Sequence, residues 1–90
     1  MSNLFWKIGE NYFIRCVTYH QVGKLVEITD KELVLEDASW IADSGRFYDA
    51  LKSGEFAQVE PFVEKVLVNR EAIVDATLYP FDLPLEQTND

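Results

Sequence analysis

A small, mostly β fold with one short inserted helix is predicted by three features of the chain. The stretch VGKLVEITDKELVLEDA (22–38) reads as two strands about a tight turn, because β-branched and apolar residues on both sides flank Thr29, Asp30 and Lys31. Further strand-like runs stand on either side of it, NYFIRCVT (11–18) before and VLVN (66–69) with AIVDA (72–76) after. Between these groups the apolar spacing changes to three and four residues at Phe47, Ala50 and Leu51, which marks one face of a helix.

Each element follows in order. The first strand, 11–18, puts Tyr12, Ile14 and Cys16 on one face and Phe13, Arg15 and Val17 on the other. Residues 19–21 connect it to the second strand, 22–28, with Val22, Val26 and Ile28 on one side and Gly23, Leu25 and Glu27 on the other. The third strand, about 32–38, completes an antiparallel meander. A helix of about 44–52 is predicted next, with Asp43 or Ser44 as its N-cap and Gly54 as its stop. Residues 55–64 hold Pro61 and three glutamates and are expected to form a loop without regular structure. Two short strands about a corner at 69–71 come last, before an extended tail over 78–90. Pro80 and Pro84 bar that tail from a central strand position. Its Leu78, Tyr79, Phe81, Leu83 and Leu85 are too apolar for free solution and call for packing on the same subunit or a neighbour.

Ninety residues make one domain, with a core expected over about 11–76. A core this small leaves the fold marginal, and assembly with other copies is a common remedy. Sixteen carboxylates against eight Lys and Arg give a formal net charge of −8. Such a chain is repelled by phosphate backbones and anionic membranes, whose binding rests on basic side chains. Cys16 has no second cysteine to pair with, and its place in an apolar strand suits a buried, inert thiol. The start of the chain, MSNLFWKIGENYF, lacks the charge and apolar run of a signal peptide, and no segment has the length of a transmembrane helix. A soluble, cytoplasmic protein is expected.

The stretch 22–38 resembles the first signature motif of the Sm/LSm family. In that motif a glycine (here Gly23) opens a strand leading to a tight turn at an Asp (here Asp30), and a Leu-Val-Leu-Glu-Asp-Ala run follows (here 33–38). VLVNREAIV (66–74) is similar to the second, in which an apolar triplet enters an Arg-Gly corner before an Ile-Val strand. The resemblance covers about 11–76 and implies a five-stranded Sm-like barrel, with the helix inserted between strands 3 and 4 and free to decorate one face of an assembly. It further implies a homo-oligomeric ring of about five to seven subunits, because family members pair the fourth strand of one subunit with the fifth of the next. Here that interface would take Val66, Leu67, Val68 and Asn69 against Ile73 and Val74 of a neighbour. Closing the ring would remove two apolar strand edges that are otherwise an aggregation hazard.

RNA-binding members read uridine with an Asp and an Asn of the first motif and the Arg-Gly corner of the second. Asp30 matches, but Glu32 stands before the Leu-Val-Leu run, and the corner reads Asn69-Arg70-Glu71 without the glycine. Asp30, Glu32, Asn69 and Arg70 are therefore the candidate ligand positions, and a ring of Glu32 carboxylates argues against a phosphate backbone there.

Other chemistry finds little support. His20 is the sole histidine and reads as a hairpin-turn residue, and a strand places it too near Cys16 for a metal site. One His without a nucleophile motif supports neither a Ser-His-Asp nor a Cys-His arrangement. Glu36 and Asp37 point to opposite faces of a strand end, so they suit a solvated rim better than acid–base work. The glycines at 9, 23, 45 and 54 have no phosphate-cradling spacing. Trp6 and Trp40 could stack bases, though plugging the barrel ends or an interface is the commoner use. Lys7, Arg15 and Lys24 make at most one small basic patch. The expectation is a non-enzymatic scaffold or protein-interaction module, without cofactor, catalytic residues or metal, whose partners are its own copies and another protein. By resemblance a bacterial or phage source fits such an acidic chain. The alternative is an RNA-binding Sm-like ring with an altered base-reading site.

Overall fold

The computed structural model describes residues 5–17, 19–43, 52, 58–85 and 88–89. Among the described residues seven strands form one antiparallel sheet: β1 (Asn11–Cys16), β2 (His20–Ile28), β3 (Glu32–Asp43), β4 (Gln58–Pro61), β5 (Val66–Asn69), β6 (Ile73–Leu78) and β7 (Thr88–Asn89). A single 3-10 turn (Arg70–Ala72) joins β5 to β6. The pairing path runs β6-β1-β2-β3-β4-β7, with β5 also on β3. The twelve-residue β3 is the spine. Its first half pairs β5, from Glu32↔Asn69 to Leu35↔Val66, and its second half pairs β4, from Ser39↔Pro61 to Asp43↔Gln58.

The fold is mostly β, as expected, but its strands are arranged differently in several places. The sheet is open, and closure of five strands into a barrel is not among its pairings. The third strand runs to Asp43 instead of stopping near Ala38, since Ser39 and Ile41 both find buried places in the sheet. Residues 55–64 were expected to be irregular, yet Gln58–Pro61 is a strand. Pro61 is tolerated because it ends that strand, and the ladder resumes with the Phe62 amide donating to the Ala38 carbonyl at 2.8 Å. The predicted helix at about 44–52 lies, except for Lys52, outside the described residues. β1 ends at Cys16, β2 begins at His20, and Ala72 belongs to the 3-10 turn ahead of β6.

The expected alternation in the second strand holds for Val22 and Leu25, which are buried in separate cores on opposite faces, but not for Ile28, which packs on the core of Leu25. Two register shifts against β3 lie between Val22 and Lys24 and between Leu25 and Glu27, and the second carries Ile28 to the face of Leu25. At the first shift Asp37 adopts a left-handed φ of 50°. Beside it Gly23 has no room for a side chain: a Cβ there would sit 3.0 Å from the Cβ atoms of Ala38 and Leu35 and 3.2 Å from the Ala38 Cα. This glycine is required by strand-to-strand contact.

The sheet buries both faces. One core gathers Tyr12, Ile14, Cys16, Leu25, Leu33, Leu35, Ala38 and Val68, with Trp6, Ile28, Val66, Ile73 and Ala76 at its margin. Tyr12 ties the start of the described chain to this core, its hydroxyl donating to the Phe5 carbonyl at 2.7 Å and accepting from the Lys7 amide at 2.8 Å. The other core holds Phe13, Val22, Ile41, Val59 and Tyr79, with Phe81 and Leu83 packed on it. Tyr79, Phe81 and Leu83 of the apolar tail thus pack within their own subunit, whereas Leu78 and Leu85 remain exposed. The Tyr79 amide donates to the Asn11 carbonyl at 2.9 Å, Asn11 Nδ2 to the Phe81 carbonyl at 3.1 Å, and Ser39 Oγ to the Pro84 carbonyl at 3.0 Å. Among the described residues no helix is long and apolar enough to cross a membrane.

Candidate functional site

The turn between β2 and β3 is built by Thr29. Its amide donates to the Glu32 carbonyl at 2.8 Å, and its hydroxyl oxygen accepts from the Glu32 amide at 2.9 Å and the Lys31 amide at 3.3 Å. A hydroxyl that stands in for backbone is what lets so short a turn close. The β5–β6 corner is built the same way, with Asn69 Oδ1 accepting from the Glu71 amide at 2.9 Å and capping the 3-10 turn.

The β3–β5 ladder brings turn and corner together by pairing Glu32 with Asn69. Arg70 then locks them, its amide donating to the Lys31 carbonyl at 2.9 Å and its Nη1 to the Thr29 carbonyl at 2.8 Å. A shallow polar cavity of about 320 Å³ lies over the join, lined by Lys31, Glu32, Asn69 and Glu71. Of the four positions singled out in the sequence, Glu32 and Asn69 line this cavity, Arg70 braces it from the half-buried side, and Asp30 stands exposed on the turn. Lys31, Glu71 and the bracing hydroxyl of Thr29 were missed. The signal for Thr29 was its place at the start of the turn, where a Ser or Thr hydroxyl commonly caps backbone amides. The lining sets two carboxylates against one ammonium, and that balance suits a polar or cationic group better than a phosphate.

The second candidate feature is the pair of strand edges on either side of the corner. β5 pairs β3 and β6 pairs β1; among the described residues neither has a strand on its other side. Leu67 in β5 and Val74 in β6 are each 62 % exposed. Val68 is buried between them in sequence, so β5 is anchored by one face and offers the other. An ion pair stiffens β6 against β1, where Arg15 Nε donates to Asp75 Oδ1 at 2.7 Å and a second guanidinium nitrogen meets Oδ2. That hydrogen bonding holds the Asp75 carboxyl below its ordinary range and the Arg15 guanidinium above its own.

The remaining candidates lie apart. His20 is in β2, not in a turn, with its ring 5.7 Å from that of Phe13. Cys16 is buried, receives a hydrogen bond from Gln21 Nε2 at 3.7 Å, and has its thiol pushed up by burial. Among the described residues no group of three or more His, Cys, Asp or Glu could hold a metal ion. Comparison with family models, with curated proteins and with solved structures returns no match. The functional reading therefore rests on the geometry of this chain.

Proposed function

We propose that the chain is an Sm-like interaction module, a non-enzymatic scaffold that assembles with its own copies through β5 and β6 and presents the assembly to a protein partner. The observation that carries this reading is the pair of open, apolar edges at Val66–Asn69 and Ile73–Leu78, set back to back about one tight corner. Edges of this kind template pairing with another chain, and a head-to-tail pairing that closes makes a ring. The resemblance to the Sm/LSm family would make β5 and β6 the two strands that pair between neighbours. In such an assembly Val66, Leu67, Val68 and Asn69 would face Ile73 and Val74 of the next subunit. Leu67 and Val74, now in water, would become buried. A soluble, cytoplasmic setting and a bacterial or phage source belong to the same proposal.

The test is the solution mass by light scattering on a gel-filtration column. The expected result is one discrete species of about five to seven subunits. A clean monomer across the accessible concentrations would overturn the ring.

A second reading is kept because Glu32, Asn69 and Arg70 do gather at one place: an RNA-binding ring that reads bases at the turn and corner. It is opposed by the carboxylates of Glu32 and Glu71 and by the engagement of Arg70 with Thr29. A uridine-rich oligonucleotide titrated at low salt distinguishes the two. Salt-sensitive binding that Arg70→Ala weakens would favour RNA, and no binding would remove it.

A further inference from the structure

The tail crosses one face of the sheet as a strap, and its hold changes in kind along its length. Tyr79 is the fixed pin, buried, with its amide on the Asn11 carbonyl at 2.9 Å. Beyond it, among the described residues, 80–85 belong to no strand of the sheet. Phe81 and Leu83 lie half-buried on Phe13, Val22, Ile41 and Val59, one residue from each of the neighbouring strands β1 to β4. Two side chains of the sheet hold the backbone of this stretch. Asn11 Nδ2 donates to the Phe81 carbonyl at 3.1 Å, and Ser39 Oγ donates to the Pro84 carbonyl at 3.0 Å. Ser39 is wholly buried, so its hydroxyl needs a carbonyl from whatever chain covers it. Asn11 asks for more than the tail supplies. Its Oδ1 is buried and, among the described residues, accepts no hydrogen bond.

We propose that the track beneath residues 80–85 is a docking site for an extended apolar segment of a protein partner, which the chain's own tail fills as a placeholder. The seated tail shows the chemistry of the guest. Phe81 and Leu83, two positions apart, face the track, while Asp82 between them is exposed. Two carbonyls three positions apart meet Asn11 and Ser39. The prolines at 80 and 84 pre-set extended chain, which lowers the entropy lost on seating. Side-chain donors that read backbone carbonyls are indifferent to the guest's sequence, so a second chain of this pattern fits the same track. A guest whose backbone amide also reaches Asn11 Oδ1 makes a hydrogen bond that the tail does not, and relieves a buried acceptor. A purely aliphatic guest would leave Asn11 and Ser39 unpaired, which costs free energy. The inference gives a chemistry to the protein partner and does not depend on the free edges of β5 and β6, since the track uses neither.

The experiment adds a capped synthetic peptide, PFDLPLEQ, to the ¹⁵N-labelled full chain and follows the amide signals. The peptide is expected to shift the Asn11 side-chain amide and the Val22, Ser39 and Ile41 backbone amides. The Leu83 amide should move toward its unfolded position as the tail is displaced. A control peptide with serine in place of the phenylalanine and both leucines should not bind. Leu83→Ser in the chain weakens the tail's own hold and should raise affinity for the unchanged peptide by about tenfold, because an internal occupant lowers apparent affinity in proportion to its occupancy. Phe81→Leu is milder and should raise it by about threefold, which keeps the test open if Leu83→Ser does not fold. No binding to the wild type or to either variant would overturn the proposal, and so would equal binding of the serine peptide. Affinity that stays level or falls in both variants would show that tail and guest do not share the track, and would overturn it too. In a sample mixed from labelled and unlabelled chains, NOEs between Leu83 of one copy and Val22 of another would make a second copy the occupant and overturn a separate partner. A monomeric mass alongside the expected shifts would remove the ring and support this site.

Discussion

Arg70 donates from its guanidinium to the carbonyl of Thr29 at 2.8 Å, across a separation of 41 positions in the chain. With the Arg70 amide on the Lys31 carbonyl, this single residue fastens the β5–β6 corner to the β2–β3 turn. An arginine so placed acts as a brace within the fold, with its charge partly committed to backbone. Arg70→Ala should lower stability by about 1.5 kcal/mol, the range for a hydrogen bond to a charged group. Urea unfolding measures it. Arg70→Lys should recover only part of the loss, because an ammonium lacks the planar fork. An unchanged midpoint for Arg70→Ala would show that the brace carries no weight.

Charge placed on the free edges should block assembly without harming the subunit. Leu67→Glu and Val74→Glu alter side chains that are already largely in water, so each subunit should keep its stability to within about 0.5 kcal/mol. Either variant should shift the mass toward the monomer, and combining them should do no more. A ring that persists in both would place its interface elsewhere.

The tail is a structural part of the sheet. Tyr79 is 2 % exposed, and with Phe81 and Leu83 it covers Phe13, Val22, Ile41 and Val59. Tyr79→Ala should cost about 3 kcal/mol, as large-to-small changes of buried aromatics do. Thermal unfolding followed by circular dichroism would register the drop. Tyr79→Phe should cost less, which separates loss of packing from loss of the hydroxyl.

The first register shift between β2 and β3 makes two opposed demands. Gly23→Val has to displace backbone at Ala38 and should destabilise by about 1–3 kcal/mol through overpacking. Asp37→Gly, at a φ of 50°, should be tolerated or mildly stabilising, whereas Asp37→Val should cost about 1–2 kcal/mol. Chemical denaturation of the three variants gives the ranking, and equal values at Asp37 would contradict the left-handed backbone.

The Arg15–Asp75 pair makes a pH prediction of definite sign. Arg15 holds the Asp75 carboxyl below its ordinary value, so the folded state binds its proton more weakly than the unfolded chain. Its contribution is fully present above the ordinary carboxylate range and is lost as pH falls through the lowered folded value. Asp75→Asn should therefore lower stability slightly at neutral pH and match the wild type in strong acid. Both side chains are substantially exposed, so added salt should shrink the neutral-pH difference.

The β-rich character, the Val22–Ala38 hairpin region and the two short strands about residues 69–71 were legible because they rest on local properties. Alternation, β-branching and turn residues leave their mark within a few positions. The candidate positions Glu32, Asn69 and Arg70 were legible only as motif positions. Their juxtaposition depends on the β3–β5 register, which no local window contains. For the same reason Gln58–Pro61 passed for a loop. A four-residue strand with a proline and a glutamate has weak propensity, and it is stabilised by lying along the far half of β3.

Composition and periodicity thus settled the class of fold, the acidic balance and the need to cover an apolar tail. Tertiary structure decided where that tail lies, that a register shift in β2 brings Ile28 to the core of Leu25, and that Trp40, Tyr19 and Phe62 meet around one groove. The division follows the range of the forces. Side-chain alternation and turn chemistry act between neighbours in sequence, whereas register, bulges and the covering of a sheet face are settled by contacts between residues tens of positions apart.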